Sequence, residues 1–131
     1  IRKFHEAKEN NHAKVTLWGS GSPMREFLHV DDLGQAVLFA LEHKLEKHLY
    51  NVGSGNDLTI KALAEIIQKV VGHKVEVIWD DTKPDGTPKK LMDSSKLNAK
   101  GWSSTINLEK GIKTTHEWFL DHNESFKEIK F

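Results

Sequence analysis

The sequence contains no cysteine, only three prolines and one tyrosine. The lack of cysteine excludes disulfides, thiolate metal sites and cysteine nucleophiles from these residues, and it fits a cytoplasmic protein. No stretch has the apolar length of a membrane span, and no signal-peptide pattern is present. An excess of one charge is also missing, because 19 lysines and arginines balance 19 aspartates and glutamates. Nucleic acid and anionic membranes are therefore not expected partners, and any anion site must be local.

The 131 residues are enough for one domain with a core and too few for two typical ones. The sequence begins at Ile1 without a methionine, and Ile1, Phe4 and Ala7 recur at helical spacing with no capping residue before them. We therefore expect this chain to be part of a longer polypeptide.

Apolar spacing predicts a small α/β layer of few short strands with flanking helices. Helices are expected at 1–11, 31–45, 59–72, 94–99 and 107–122, strands at 15–18, 27–30, 48–52 and 75–79, a loop at 80–90, a short extended segment at 91–93 and a frayed tail at 124–131. The second helix is expected to turn an apolar stripe to the core, formed by Leu33, Ala36, Val37, Ala40, Leu41 and Leu45.

Residues 15–32 form the most informative stretch, VTLWGSGSPMREFLHVDD. A strand ending at Trp18 is expected to lead into a tight glycine-containing turn that carries Arg25. This arrangement would present a guanidinium fork and a flat apolar wall to an anionic, partly aromatic ligand. Lys89 and Lys90 follow in a basic loop and could complete a clamp for a pyrophosphate, although solvated surface charge explains all three cations equally well.

Other candidate motifs favour structural explanations. Gly53-Ser54-Gly55 has Leu58 where a dinucleotide fingerprint needs its third glycine, so a plain turn is expected. The acidic pair Asp31-Asp32 suits a helix N-terminus, with Asp31 as the N-cap, better than a metal or acid–base site. The eight histidines show no paired metal-ligand spacing, and solvated or structural roles are favoured for them.

Four segments together resemble the C-terminal part of the GDP-L-fucose synthases, which are NADPH-dependent 3,5-epimerase/4-reductases of the extended short-chain dehydrogenase/reductase family. These segments are WGSGSPMREFLHVDD at 18–32, YNVGSG at 50–55, Thr59-Ile60 and KPDGTPKKL at 83–91. The segment at 83–91 narrows the resemblance from the extended short-chain dehydrogenases/reductases in general to the GDP-L-fucose synthases. The resemblance extends from residue 1 into the last helix.

The resemblance implies a two-domain enzyme in which residues 1–131 form the C-terminal GDP-sugar-binding lobe. Residues 1–12 would be a helix continuing from the preceding part, and a Rossmann domain absent from this chain would bind NADPH. The complete enzyme converts GDP-4-keto-6-deoxy-D-mannose to GDP-L-fucose by 3,5-epimerisation and 4-reduction, and the family forms homodimers.

Carried over position by position, the resemblance assigns substrate contacts to Lys3, Trp18, Arg25, Asp85 and Lys90. Arg25 and Lys90 would neutralise phosphate charge, and Trp18 would supply an apolar wall beside the nucleotide. For Asp85 we infer hydrogen-bond acceptance from the ring N–H and amino group of guanine. Lys3 stands where some relatives use arginine, and a lysine cannot repeat a bidentate contact.

The family's catalytic residues have no match in this chain. Its chemistry needs a Tyr-x-x-x-Lys pair, but the single tyrosine, Tyr50, is followed four residues later by Ser54. Its cysteine is absent, and the matching histidine would precede Ile1. We therefore expect a lobe that binds substrate but has no catalytic activity alone. We also expect it to expose apolar surface that would face its partner domain in the complete enzyme.

Two alternatives stay open at this point. The chain could belong to another nucleotide-sugar epimerase or reductase with a different base or sugar. It could instead be a non-catalytic nucleotide-sugar-binding or interaction module. A comparison of GDP, UDP and dTDP binding separates the first alternative from the main interpretation, and the length of the natural polypeptide separates the second.

Overall fold

The computed structural model describes residues 1–45 and 49–122. Its elements in chain order are α1 (Arg2–Glu9), β1 (Lys14–Trp18), β2 (Met24–Glu26), α2 (Val30–Glu42), β3 (Asp57–Thr59), α3 (Ile60–Val71), β4 (Glu76–Asp80), β5 (Lys89–Lys90), α4 (Ser95–Asn98) and α5 (Leu108–His122). The small α/β class with short strands is thus confirmed. Within the described ranges, no helix is both long enough and apolar enough to cross a membrane.

The strands form two small sheets. β1 and β4 pair in parallel, with Val15 opposite Val77 and Trp18 opposite Asp80. In the second sheet β2 is central, antiparallel to β3 and parallel to β5. The turn from β1 to β2 therefore links the two sheets, and the loop from β4 to β5 links them a second time.

The main core lies between β1 and helices α1, α3 and α5. Its buried members are Phe4, Ala7, Val15, Ala64, Ile67, Val71, Val75 and Ile112. The predicted boundaries of α3 are confirmed, because the Thr59 hydroxyl accepts the Ala62 N–H at 3.1 Å and Gly72 ends the helix in the left-handed conformation. This capped helix forms one fixed side of the candidate site described below.

Helix α2 differs from its prediction. Of the expected inward stripe, Ala36 is buried, whereas Leu33, Val37 and Leu41 are exposed, Leu41 by 73%. Periodicity correctly identified an apolar face, but it does not say whether another element of the same chain covers that face. Exposed apolar side chains were expected of this lobe, and those of α2 are among them. That they face a partner domain stays a prediction.

Three further predictions on strands are wrong. Residues 27–29 form no strand, and Val30 already begins α2. The described part of the predicted strand 48–52, residues 49–52, is irregular, while His48 lies outside the described residues. The extended segment expected at 91–93 occurs earlier, as β5 at Lys89–Lys90. The expected tail at 124–131 also lies outside the described residues.

A buried histidine gives the fold a testable pH dependence. His116 is 8% exposed, its ring meets that of His5 edge to face at 5.9 Å, and its Nε2 has no hydrogen-bond partner. Burial lowers the pKa of His116 below its ordinary 6.5, and the nearby positive charges of His5 and Lys8 lower it further. The folded state therefore resists a proton that the unfolded chain accepts.

We expect stability to fall as the pH drops below about 6.5, because protonation of the unfolded chain is then favoured. In a His116→Phe variant this loss should be smaller, since the ring is kept and the titrating group is removed. Urea unfolding at pH 7.5 and 5.5 measures the effect, with His12→Gln at an exposed histidine as the control. Equal pH dependence in His116→Phe and the unmodified chain would contradict this assignment.

Candidate functional site

The turn between β1 and β2 is fixed by its own backbone. Gly19 and Gly21 have φ values of 78° and 74°, which favour glycine, and a Cβ on Gly21 would lie 2.5 Å from the Trp79 ring. The carbonyls of Gly21 and Pro23 accept the N–H groups of Lys61 and Ile60 at 2.9 and 3.0 Å. The turn thus caps the N-terminus of α3 and cannot shift independently of it.

Arg25 lies in the middle of strand β2, so its predicted position on the turn itself is wrong. Its neighbour across the parallel β2–β5 pair is Lys90, and residues in register project from the same face of a sheet. The Arg25 Nη1 donates to the Met24 carbonyl at 2.7 Å. The register thus places two residues of the expected clamp opposite each other, although the segment that forms β5 was predicted to be a loop.

A pocket of about 230 Å³ opens beside Arg25. Its lining includes three of the predicted site residues, Trp18, Arg25 and Asp85, together with Gly21, Pro23, Ile60 and Pro84. The Trp18 side chain is 62% exposed, and Lys83 Nζ lies 5.9 Å from its ring centroid. The pocket therefore combines an accessible indole, a guanidinium and a carboxylate in one small cleft.

Asp85 reaches this cleft from the β4–β5 loop and is bound to the turn. Its Oδ1 accepts the Ser20 N–H and its Oδ2 accepts the Ser20 hydroxyl, both at 2.7 Å. These hydrogen bonds lower the pKa of Asp85, as does the charge of Arg25, while partial desolvation opposes them. The carboxylate is therefore ionised near neutral pH.

Two cations from the sequence prediction lie elsewhere. Lys3 Nζ donates to the Thr16 carbonyl at 3.1 Å and borders a separate groove beside α1 and β1. Lys89 pairs with Asp57 of β3 at 3.1 Å. The structure thus brings Trp18, Arg25 and Asp85 into one pocket, places Lys90 opposite Arg25 by strand register, and leaves Lys3 outside the pocket.

Glu26 is an organising residue that the sequence analysis missed. Its carboxylate accepts the Gly55 N–H at 2.6 Å and the Met92 N–H at 3.0 Å. A Cβ on Gly53 would lie 2.5 Å from Glu26 Oε1, so the glycine loop is packed against this side chain. The sequence signal for Glu26 is weak, because a single glutamate after Arg25 does not show that it accepts the Gly55 and Met92 N–H groups.

The start of α2 also differs from expectation. The N-cap is His29, whose Nδ1 accepts the Asp31 N–H at 3.2 Å, and not Asp31 itself. Asp32 is 2% exposed and accepts hydrogen bonds from Thr105 and Ile106 at 3.0 Å. Burial opposes its charge, but these bonds and the charge of His29 leave the pKa of Asp32 below its ordinary 3.8. The acidic pair is thus structural.

Comparison with known proteins finds relatives of one kind along nearly the whole chain. Residues 1–53 match the NAD dependent epimerase/dehydratase family. The chain is 51% identical, over 97% of its length, to a probable GDP-L-fucose synthase of Oryza sativa subsp. japonica, and 46% identical, over 97%, to the GDP-L-fucose synthase of Escherichia coli strain K12. It spans 39% and 42% of these two proteins, about two fifths of their length.

Solved structures show the same fold. A GDP-L-fucose synthetase from Naegleria fowleri superposes with a TM-score of 0.85 at 22% identity, covering 97% of this chain and 39% of that one. A GDP-mannoheptose C4 reductase from Campylobacter jejuni superposes with a TM-score of 0.78 at 33% identity, covering 91% of this chain and 42% of that one. Over nearly its whole length the chain is therefore similar to about two fifths of proteins named GDP-L-fucose synthase, and its residues 1–53 match the NAD dependent epimerase/dehydratase family.

Proposed function

We propose that the chain is the GDP-sugar-binding C-terminal lobe of a GDP-L-fucose synthase. The whole enzyme would convert GDP-4-keto-6-deoxy-D-mannose to GDP-L-fucose by 3,5-epimerisation and NADPH-dependent 4-reduction, as a cytoplasmic homodimer. The observation that carries the proposal is the β2–β5 register, which places Lys90 beside Arg25 next to the exposed Trp18. Two adjacent cations and an indole match the diphosphate and base of a nucleotide-sugar.

Each site residue has a role that its position allows. Arg25 and Lys90 bind the diphosphate, and Trp18 packs against the nucleotide. Asp85 has further lone pairs beyond those that Ser20 uses, so it can accept an N–H of guanine. Lys3 fits a substrate contact least well, because its ammonium is bound to the Thr16 carbonyl outside the pocket.

The described residues do not fit NADPH at the glycine loop. The Gly55 N–H, which a dinucleotide diphosphate would need, donates to Glu26, and the same carboxylate fills the space beside Gly53. A negative charge at this position would repel a diphosphate. In the proposed enzyme, cofactor binding therefore falls to the Rossmann domain outside this chain, and no catalytic step is assigned to these residues.

We expect the 131-residue chain to bind GDP more tightly than UDP or dTDP in calorimetric titrations. The reason is that guanine presents two N–H donors to Asp85, whereas neither pyrimidine presents that pair. Asp85→Asn should reduce the preference for GDP, and Asp121→Asn at an exposed carboxylate is the matched control. Equal binding of all three nucleotides would favour a different nucleotide-sugar enzyme, and no binding would favour an interaction module.

A graft tests the catalytic part of the proposal. This chain would replace the matching segment of the Escherichia coli GDP-L-fucose synthase, to which it is 46% identical. Formation of GDP-L-fucose by the graft is the expected result. A folded graft that binds NADPH but forms no product from GDP-4-keto-6-deoxy-D-mannose would contradict it.

A further inference from the structure

The loop at 81–88 forms one wall of the Arg25 pocket through Pro84 and Asp85. Within the described residues, its tip is tied to the rest of the protein by Asp85 and Ser20. The Ser20 N–H donates to Oδ1 and the Ser20 hydroxyl to Oδ2, each at 2.7 Å. A single serine thus engages both oxygens of an otherwise accessible carboxylate.

The Ser20 hydroxyl is itself oriented by Ser22. It accepts the Ser22 N–H at 3.1 Å and lies 2.7 Å from the Ser22 Oγ. A hydroxyl has one proton to donate and two lone pairs to accept with. Because the Ser20 proton goes to Asp85, both contacts from Ser22 must be donated to Ser20, and the direction of the network is fixed.

Arg25 lies next to this carboxylate without pairing with it. A Cβ on Gly86, the residue after Asp85, would lie 3.9 Å from Arg25 Nη2. The guanidinium nevertheless donates to the Met24 carbonyl, and no carboxylate in the described part of the chain forms an ion pair with it. An arginine fork beside an available carboxylate commonly forms a bidentate pair. The two bonds from Ser20 instead direct both Asp85 oxygens to the turn.

We propose that Ser20 is a positioning residue that holds Asp85 away from Arg25, so that the guanidinium stays available for the ligand's diphosphate. When Ser20 releases Asp85, the carboxylate turns to Arg25 and competes with the phosphate oxygens for the same donors. The identity of the ligand rests on the proposed function. The competition between Asp85 and an anion for Arg25 does not.

The test uses the 131-residue chain and inorganic pyrophosphate as the probe. Ser20→Ala removes the hydroxyl bond to Oδ2 and keeps only the N–H bond to Oδ1, so Oδ2 is free to turn to Arg25. We expect pyrophosphate affinity to fall about five- to tenfold, because this oxygen then competes for the guanidinium. Ser20→Thr keeps the hydroxyl and should bind as the unmodified chain does. Ser103→Ala removes a hydroxyl from an exposed serine that does not line the pocket, and it should leave pyrophosphate affinity unchanged.

The decisive variant is Ser20→Ala combined with Asp85→Asn. An asparagine carries no charge to pair with Arg25, so this double variant should regain the affinity that Ser20→Ala lost. If Ser20 only stabilised the loop, the second change would leave binding as weak or weaker. A double variant that binds no better than Ser20→Ala, or a Ser20→Ala variant with unchanged affinity, overturns the proposal.

Nuclear magnetic resonance of the Arg25 guanidinium and Asp85 carboxyl separates this proposal from the proposed function. We expect signals of an Arg25–Asp85 pair in Ser20→Ala and not in the unmodified chain. If the pair forms but the unmodified chain binds neither pyrophosphate nor GDP, the GDP-sugar function fails while the positioning of Asp85 by Ser20 holds. If no pair forms, the role of Ser20 fails whatever the chain binds.

Discussion

Asp32→Ala is expected to lower the free energy of unfolding by about 3 kcal/mol, because it removes a buried carboxylate and leaves three part-buried donors without their acceptor. The Asp32 Oδ1 accepts the Thr105 N–H and hydroxyl, and Oδ2 accepts the Ile106 N–H, all at 3.0 Å. These bonds join the first turn of α2 to the segment that leads into α5. Urea unfolding at pH 7, followed by fluorescence of the buried Trp102, measures the loss.

Asp31→Ala is the matched control, since Asp31 is the preceding residue and its side chain is 75% exposed. Its effect should stay within about 0.5 kcal/mol, as for an ordinary surface substitution. Asp32→Asn separates charge from shape, because an amide nitrogen cannot accept a hydrogen bond. Equal stability of the Asp31 and Asp32 variants would show that the contacts to Thr105 and Ile106 contribute little.

The sign of the pH dependence follows from the pKa of Asp32, which is lower in the folded state than its ordinary 3.8. The stabilisation is complete above the unfolded value and is lost as the pH falls through the folded value. Asp32→Asn should therefore lose less stability than the unmodified chain below pH 3.8. This pH range lies well below the range in which burial of His116 lowers the stability, so the two effects can be measured separately.

Arg25→Ala is expected to weaken GDP binding by the 131-residue chain about 100-fold, the effect of losing charge-assisted hydrogen bonds to a phosphate. In the Escherichia coli graft, Arg25→Ala should raise the KM for GDP-4-keto-6-deoxy-D-mannose far more than it lowers the affinity for NADPH. Arg25→Lys should lie between, because it keeps the charge without the planar fork. Calorimetric titration and saturation kinetics measure the two effects.

The sequence offers a matched control, because it contains only one other arginine. Arg2 pairs with Glu6 at 2.6 Å on α1 and does not line the Arg25 pocket. Arg2→Ala should therefore leave GDP binding unchanged. An unchanged KM for the substrate in Arg25→Ala would show that Arg25 does not bind the substrate.

Elements with strong local signals were predicted well. The Thr59 cap and Gly72 end of α3, the strand before Trp18, and the last helix all follow from residues close in sequence. Strands β2 and β5 were misplaced because they have three and two residues, too few for a periodic pattern, and they form only through pairing with distant segments.

The candidate site shows the same division. The segments 18–32 and 83–91 carried the resemblance to the GDP-L-fucose synthases and suggested four residues of the proposed site, because residue types and spacings are local properties of the chain. The sequence could not show that Asp85 bonds to Ser20, 65 residues away, or that Lys90 lies across from Arg25. It also could not place Lys3 outside the pocket or identify the hydrogen bonds to Glu26.

Local patterns in the sequence were enough to predict the α/β class and the capped helix α3, and they carried the resemblance to the GDP-L-fucose synthases. Which side chains meet depends on the tertiary fold, because hydrogen bonds between residues far apart require the sheets to bring separate segments together. The fold also leaves Leu33, Val37 and Leu41 of α2 exposed, while Ala36 on the same stripe is buried. Periodicity records that a face is apolar, whereas its burial depends on what the fold places against it.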